Sequence, residues 1–336
     1  MIAVVWTDPY PLVAMSRLLN RTAYTLIPLS ILFCRYYPFG RSYGLWTGQL
    51  SYTGVSEDKN GLAQLCLVCG LASIWQLCTL LARGQTTVHR KRHIAVQVAI
   101  LAMVVYLFTL ADSATSRSCM VLATVLMLAL RFRVFGRTQV LVHILVLFLV
   151  AVPVCVAILG VNPGALQAMG RDATLTDRTL IWSWVVKLVP NQWVGAGYAS
   201  FWLGHRLNLI VENVTHTWVP NQAHNGYLDI YANLGWLGVG LLGIVIYCGY
   251  TRILRLRQRH PAADLMLAYF MIGVISNISE ASFFRNMFPI WLVFMLAITI
   301  PRVGTEKASK RPKSSARSAG ENIEYVCNLS DAAGAR

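Results

Sequence analysis

Residues 62–81 read LAQLCLVCGLASIWQLCTLL, twenty positions without a single charge. A helix of that length reaches about 30 Å, the thickness of a bilayer's hydrocarbon core. Arg83, Arg90, Lys91 and Arg92 follow, and then a second apolar run at 94–111. Working outward, further runs fall at about 18–34, 118–130, 140–160, 227–250, 264–280 and 286–300, the first interrupted by Arg21 and Pro28. The sequence therefore predicts an all-α polytopic membrane protein with about eight transmembrane helices. Composition agrees. The 336 residues are 56% hydrophobic and 13% charged, where a soluble domain carries about 25% charged residues and a disordered chain is poor in apolar ones.

The net charge of +15 would suggest nucleic acid on a soluble protein. Here the charges sort by side instead. Arg131, Arg133 and Arg137 lie between the fourth and fifth runs, and Arg252, Arg255, Arg257 and Arg259 between the sixth and seventh. With the linker after residue 82 and the tail beyond residue 300, these segments hold eighteen Lys and Arg, against nine on the opposite side. Positive-inside bias then makes their side cytoplasmic, with both termini inside and no nucleic-acid partner. No cleavable signal peptide is expected, because Asp8-Pro9 closely follows a short apolar start. The expected organisation is five spans over 1–160, a large outer loop at 161–226, three spans over 227–303, and a disordered basic tail at 304–336.

The outer loop carries Trp182, Trp184, Trp193, Trp202 and Trp218, which argues against disorder. A helix capped by Thr176 or Asp177 and ended by Pro190 is expected, with Leu180, Ile181, Trp184, Val185, Leu188 and Val189 on one side. That amphipathic face suits the bilayer surface or the spans. Its tryptophans suit interfacial anchoring or stacking on sugar rings. Gly195 and Gly197 suggest a tight turn or close backbone approach. His224, in NQAHNGYLDIY, stands directly before a span. Arg117, Arg178 and Arg285 oppose the charge bias on the outer side, and a guanidinium grips phosphate in a bidentate fork. Cys66 and Cys69 form C-x-x-C inside an apolar run, which reads as packing, and no histidine spacing is a zinc pattern. No metal, cofactor or nucleotide-binding loop is expected.

Four segments, in order, carry a resemblance: WTDP at Trp6–Pro9, YTGVSEDKNGLA at 52–63, DRTLIWSWVVKLVPNQWVGAGYASF at 177–201, and AHNGYLDIYANLGWLGVGLLG at 223–243. Together they resemble the O-antigen ligase and Wzy-type polysaccharide polymerase superfamily, in flavour nearest the succinoglycan-type exopolysaccharide polymerases. Family members usually carry several more spans ahead of the WTDP-like segment. The resemblance implies a metal-independent membrane glycosyltransferase of the bacterial inner membrane. Its substrate is an oligosaccharide on undecaprenyl diphosphate, and its site faces the periplasm. It implies His224 as general base on the acceptor hydroxyl, since imidazole as a class titrates near neutrality. Arg117 and Arg178 are implied to hold the donor diphosphate. Asn225 would orient His224 or bind sugar, Lys59, Asn60 and Arg285 would assist, and Gly195 and Gly197 would shape the turn over the site. Other polysaccharide assembly and export proteins are implied partners.

Three further readings stay open: an O-antigen ligase or protein O-oligosaccharyltransferase, a glycan transporter, and a non-catalytic component of an export complex. The acceptor separates the first from a polymerase, and nothing in the sequence fixes it.

Overall fold

The computed structural model describes residues 2–43, 50–82, 87–132, 134–135, 138–158, 174–216, 218–285 and 288–299. The expected tail at 304–336 and the first part of the outer loop, 161–173, lie outside the described residues. Eleven α-helices are seen among those described: α1 (Ile2–Trp6), α2 (Pro11–Tyr36), α3 (Lys59–Ala82), α4 (Val88–Ala111), α5 (Ala114–Ala129), α6 (Gln139–Ile158), α7 (Thr174–Leu188), α8 (Gly204–Ile210), α9 (Gly226–Arg257), α10 (Ala262–Ser276) and α11 (Pro289–Ile298). Each expected span coincides with one of them. Three of these helices, α3, α4 and α9, are long and apolar enough to cross a membrane. At 15 and 10 residues, α10 and α11 reach only about 22 and 15 Å.

One element departs from an all-α reading. Residues Arg41–Tyr43 (β1) and Leu50–Tyr52 (β2) pair antiparallel, with Arg41 opposite Tyr52 and Tyr43 opposite Leu50. Strands of three residues are too short for a period-two pattern to register in sequence. Arg41 secures this ribbon to the end of α2, donating from Nε to the Cys34 carbonyl at 2.8 Å and from Nη2 to the Arg35 carbonyl at 2.7 Å.

The chain forms two compact units. The first takes residues up to Ser113, Gly249–Phe270, and the chain from Leu292. Here α2, α3 and α4 pack around a polar chain: Gln97 Nε2 donates to Tyr24 Oη and to Gln76 Oε1, both at 2.8 Å, and Gln76 donates to Asn20. In an apolar setting such bonds act as interhelical glue. The buried Tyr269 donates to the Val68 carbonyl at 3.0 Å, and Trp6 donates from Nε1 to Thr299 Oγ1 at 2.8 Å. Cys66 and Cys69 are buried within this packing.

The second unit takes Ala114–Cys248 and Met271–Trp291. Its segment from α7 into α9 builds a core of its own: Ile181, Val185, Phe201, Trp202, Ile210, Ala223 and Ala232 are all buried together. Of the face expected on α7, Trp184, Leu188 and Val189 pack on that core, while Leu180 is exposed. The helix begins at Thr174, so Thr176 and Asp177 fall inside its first turn rather than capping it. Helix ends commonly move by a residue or two in this way.

Helix α9 is broken at Gly235, whose φ of 61° and ψ of −160° interrupt the ladder. The segment around Gly195 fills the break. Ala196 and Gly197 donate their N–H groups to the carbonyls of Ala232 and Asn233, both at 2.9 Å, while Trp236 and Leu237 donate to the carbonyls of Gln192 and Trp193 at 2.8 and 3.1 Å. Backbone groups freed by the break are thus satisfied, as an apolar environment demands. Side chains are excluded on both sides. A Cβ on Gly195 would stand 2.5 Å from the Asn233 carbonyl carbon, and one on Gly235 would strike the backbone of Trp193.

Candidate functional site

The start of α9 organises the site. Asn225 caps the helix, its Oδ1 accepting the N–H groups of Tyr227 at 3.0 Å and Leu228 at 3.1 Å. Such a cap contributes about 1 kcal/mol. Gly226 comes next because nothing larger fits: its N–H donates to the carbonyls of Asn277 at 2.8 Å and Glu280 at 2.9 Å. Just before the cap, His224 sits in the left-handed region at φ 50°. That conformation costs a non-glycine residue roughly 1–2 kcal/mol and persists only where surroundings enforce it.

Those surroundings are explicit. The carboxylate of Asp229, buried to 8% exposure, accepts the Ala223 N–H at 2.9 Å and Trp202 Nε1–H at 3.3 Å on Oδ1. Its Oδ2 receives Arg285 Nη2 at 3.4 Å, and the same nitrogen donates to the Asn221 carbonyl at 3.1 Å. Trp182 donates to the Ala223 carbonyl at 2.7 Å, and the Trp218 ring meets the His224 ring edge-on at 6.3 Å. Residues 221–224 are therefore gripped from both sides.

Arg178, from the first turns of α7, reaches the turn after α10. Its Nη1 donates to the Ser279 carbonyl at 2.6 Å and its Nη2 lies 3.7 Å from Glu280 Oε1. The other carboxylate oxygen of Glu280 stands 3.9 Å from His224 Nδ1. One carboxylate thus lies between the two sequence-nominated residues His224 and Arg178. Asn277 shapes the turn that presents it. Asn277 Nδ2 donates to the Gly273 carbonyl and Ser282 Oγ at 2.7 and 2.8 Å, and its Oδ1 accepts from the N–H groups of Ser282 and Phe283 at 2.9 and 3.1 Å.

Arg117 enters this unit in the first turn of α5 and is exposed. Two residues earlier, Thr115 bonds Ser279 Oγ at 2.9 Å, joining that turn to the one Arg178 grips. Around Glu280 the geometry brings Arg178 and His224 together. Arg285 is engaged with Asp229, and Asn225 with its helix cap. Gly195 and Gly197 are engaged with the break in α9. Lys59 and Asn60 belong to the first unit, at the start of α3, where Gly61 N–H is capped by Asp58 Oδ1 at 2.6 Å.

Beside the site lies a cavity of about 530 Å³. Val150 and Val154 of α6, Thr179 and Trp182 of α7, and Asn225, Tyr227, Val274 and Ile278 line it. Its wall is apolar except near Thr179 and Asn225, the sequence neighbours of Arg178 and His224. The sequence offers Glu280 only as a carboxylate for an outer arginine to pair with, as Arg178 does, and Asp229 only as a carboxylate beside a span end. Those were their available signals, because ionisable groups near a membrane need partners.

No curated protein matches the chain. Residues 100–243, which hold Arg117, Arg178 and His224, match the family model described as O-antigen ligase.

Proposed function

We propose that the protein polymerises oligosaccharide repeat units carried on undecaprenyl diphosphate, at the periplasmic face of the bacterial inner membrane. In this reading eight spans cross the membrane, with basic linkers inside and residues 161–226 outside. The observation that carries the reading is the pairing of an imidazole with a guanidinium, His224 and Arg178 about one carboxylate, next to an apolar cavity. The acceptor's hydroxyl oxygen attacks the donor's anomeric carbon while His224 takes the hydroxyl proton. The bond from that carbon to the diphosphate oxygen breaks, its electron pair leaving with undecaprenyl diphosphate. Arg178 and Arg117 hold the departing charge. Attack in a single displacement inverts the anomeric centre. Arg285 holds the loop of His224, Asn225 orients it or meets sugar, and Gly195 and Gly197 set the turn above. No metal takes part, and polysaccharide export proteins take the product.

A second reading, transfer of finished glycan to a different acceptor, is favoured by the description of the matching family as O-antigen ligases. The test is in cells. Variants His224→Ala, Arg178→Ala and Arg117→Ala should accumulate to normal levels yet yield no high-molecular-weight polysaccharide, while single repeat units build up. Normal polymer from all three would refute the assignment.

A further inference from the structure

Glu280 lies between the proposed base and the proposed anion-binding arginine, and the reaction as written gives it no task. Resting on the reading of His224 as base, we propose that Glu280 is a positioning residue. It holds the imidazole as the Nδ1–H tautomer, so that Nε2 is the free nitrogen that takes the acceptor's proton.

Three observations carry this. The first is the placement of the carboxylate. It is 8% exposed, with Oε2 3.9 Å from His224 Nδ1 and Oε1 3.7 Å from Arg178 Nη2. A buried carboxylate is held by donors. A guanidinium only donates, and a neutral imidazole favours the carboxylate only by turning an N–H toward it. Closing 3.9 Å to hydrogen-bond length takes about 1 Å, a tightening expected when substrate fills a site.

The second is the shared frame. The Glu280 carbonyl accepts the N–H of Gly226, two residues past His224, at 2.9 Å, and the Glu280 N–H donates to the Ser276 carbonyl at 2.9 Å. Carboxylate and imidazole are thus mounted on one hydrogen-bonded turn. The third is Gln222. Its amide nitrogen lies 3.5 Å from His224 Nδ1, while its Oε1 is buried with no hydrogen bond. Half a turn of that amide exchanges two groups of nearly equal size. It brings Oε1 onto Nδ1, where the same N–H satisfies it. Both neighbours of Nδ1 are then acceptors for one proton.

The test uses the full chain in detergent with ring-15N histidine, where the signal lost in His224→Gln identifies the residue. The wild-type signal should be that of an Nδ1–H imidazole. In Glu280→Met, of similar length and without charge, the Nε2–H form should appear. Turnover of lipid-linked repeats at saturating donor should fall at least tenfold. Glu280→Gln keeps an acceptor oxygen and should restore both the tautomer and part of the turnover. A wild-type Nε2–H signal overturns the proposal, and that spectrum decides even if Glu280→Met does not fold. So does wild-type turnover in Glu280→Met or Glu280→Gln alongside an inactive His224→Ala. An active His224→Ala instead removes the reading of the site on which the proposal stands.

Discussion

Gly226→Ala should dismantle the turn that faces His224, and its cost can be worked out. A methyl group there would overlap Asn277 Oδ1 and stand 2.8 Å from Asn277 Cγ and 2.9 Å from Phe283 Cδ2, inside the 3.0 Å that real Cβ atoms keep. Asn277 is 1% exposed, so it has no solvent to move into. Its side chain makes the four hydrogen bonds that close residues 273–283. Each contributes about 0.5–1.5 kcal/mol net, so losing two or three costs about 2–4 kcal/mol. The two bonds from the Gly226 N–H to the carbonyls of Asn277 and Glu280 weaken with them. Gly240→Ala is the control, since nothing lies within 4 Å of a Cβ there and the site is an exposed helical position. Alanine in place of a helical glycine is worth up to about 1 kcal/mol. Thermal unfolding of detergent-purified protein should place Gly226→Ala about 4–16 °C below wild type, at roughly 2–4 °C per kcal/mol. Gly240→Ala should lie at or above wild type. Equal midpoints for the two variants would refute the packing argument.

Three other expectations follow from the same structure. Burial pushes His260 down to about 4, and its Nδ1 accepts the Ala262 N–H at 3.1 Å, so the native linker between α9 and α10 holds the neutral ring. The folded value lies below the usual 6.5, so its stabilising contribution is complete above about pH 6.5 and is lost as pH falls toward 4. It amounts to at most about 3 kcal/mol, less wherever solvent screens the ring. Melting from pH 7.5 to 4.5 should show this acid loss in wild type and less of it in His260→Asn, which can cap without titrating. Trp182→Phe strands the buried Ala223 carbonyl and should lower stability by about 1–3 kcal/mol, read by the same melting assay; an unchanged midpoint would show that bond to be dispensable. Reporters that work only in the periplasm should be active when fused near residue 200 and inactive near residue 256, and the reverse pattern would invert the proposed topology.

Much of the fold is legible because apolar runs and basic linkers are one-dimensional signals. Each expected span reappears as a helix, and α7 buries Ile181 and Val185 as its period suggests. The site is legible in its chemistry rather than its wiring. His224 and Arg178 are separated by 46 positions, and the carboxylate between them comes a further 56 along. No local pattern encodes a meeting of three distant segments, so Glu280 was marked only as a carboxylate near a span end with which an outer arginine could pair. The glycines divide similarly. Gly195 and Gly197 announce close approach, but what approaches is the broken middle of α9, whose interruption at Gly235 looks in sequence like any small residue in a membrane helix. The β1–β2 ribbon went unseen because three residues carry no period.

The central claim is that this chain joins lipid-linked glycans using His224. The direct measurement is to reconstitute the purified protein in liposomes with a defined undecaprenyl-diphosphate-linked oligosaccharide and resolve the products by size. The account predicts a ladder of multiples of the repeat, absent with His224→Ala. A single transfer product would contradict polymerisation, and no covalent change at all would contradict the assignment of a glycosyltransferase.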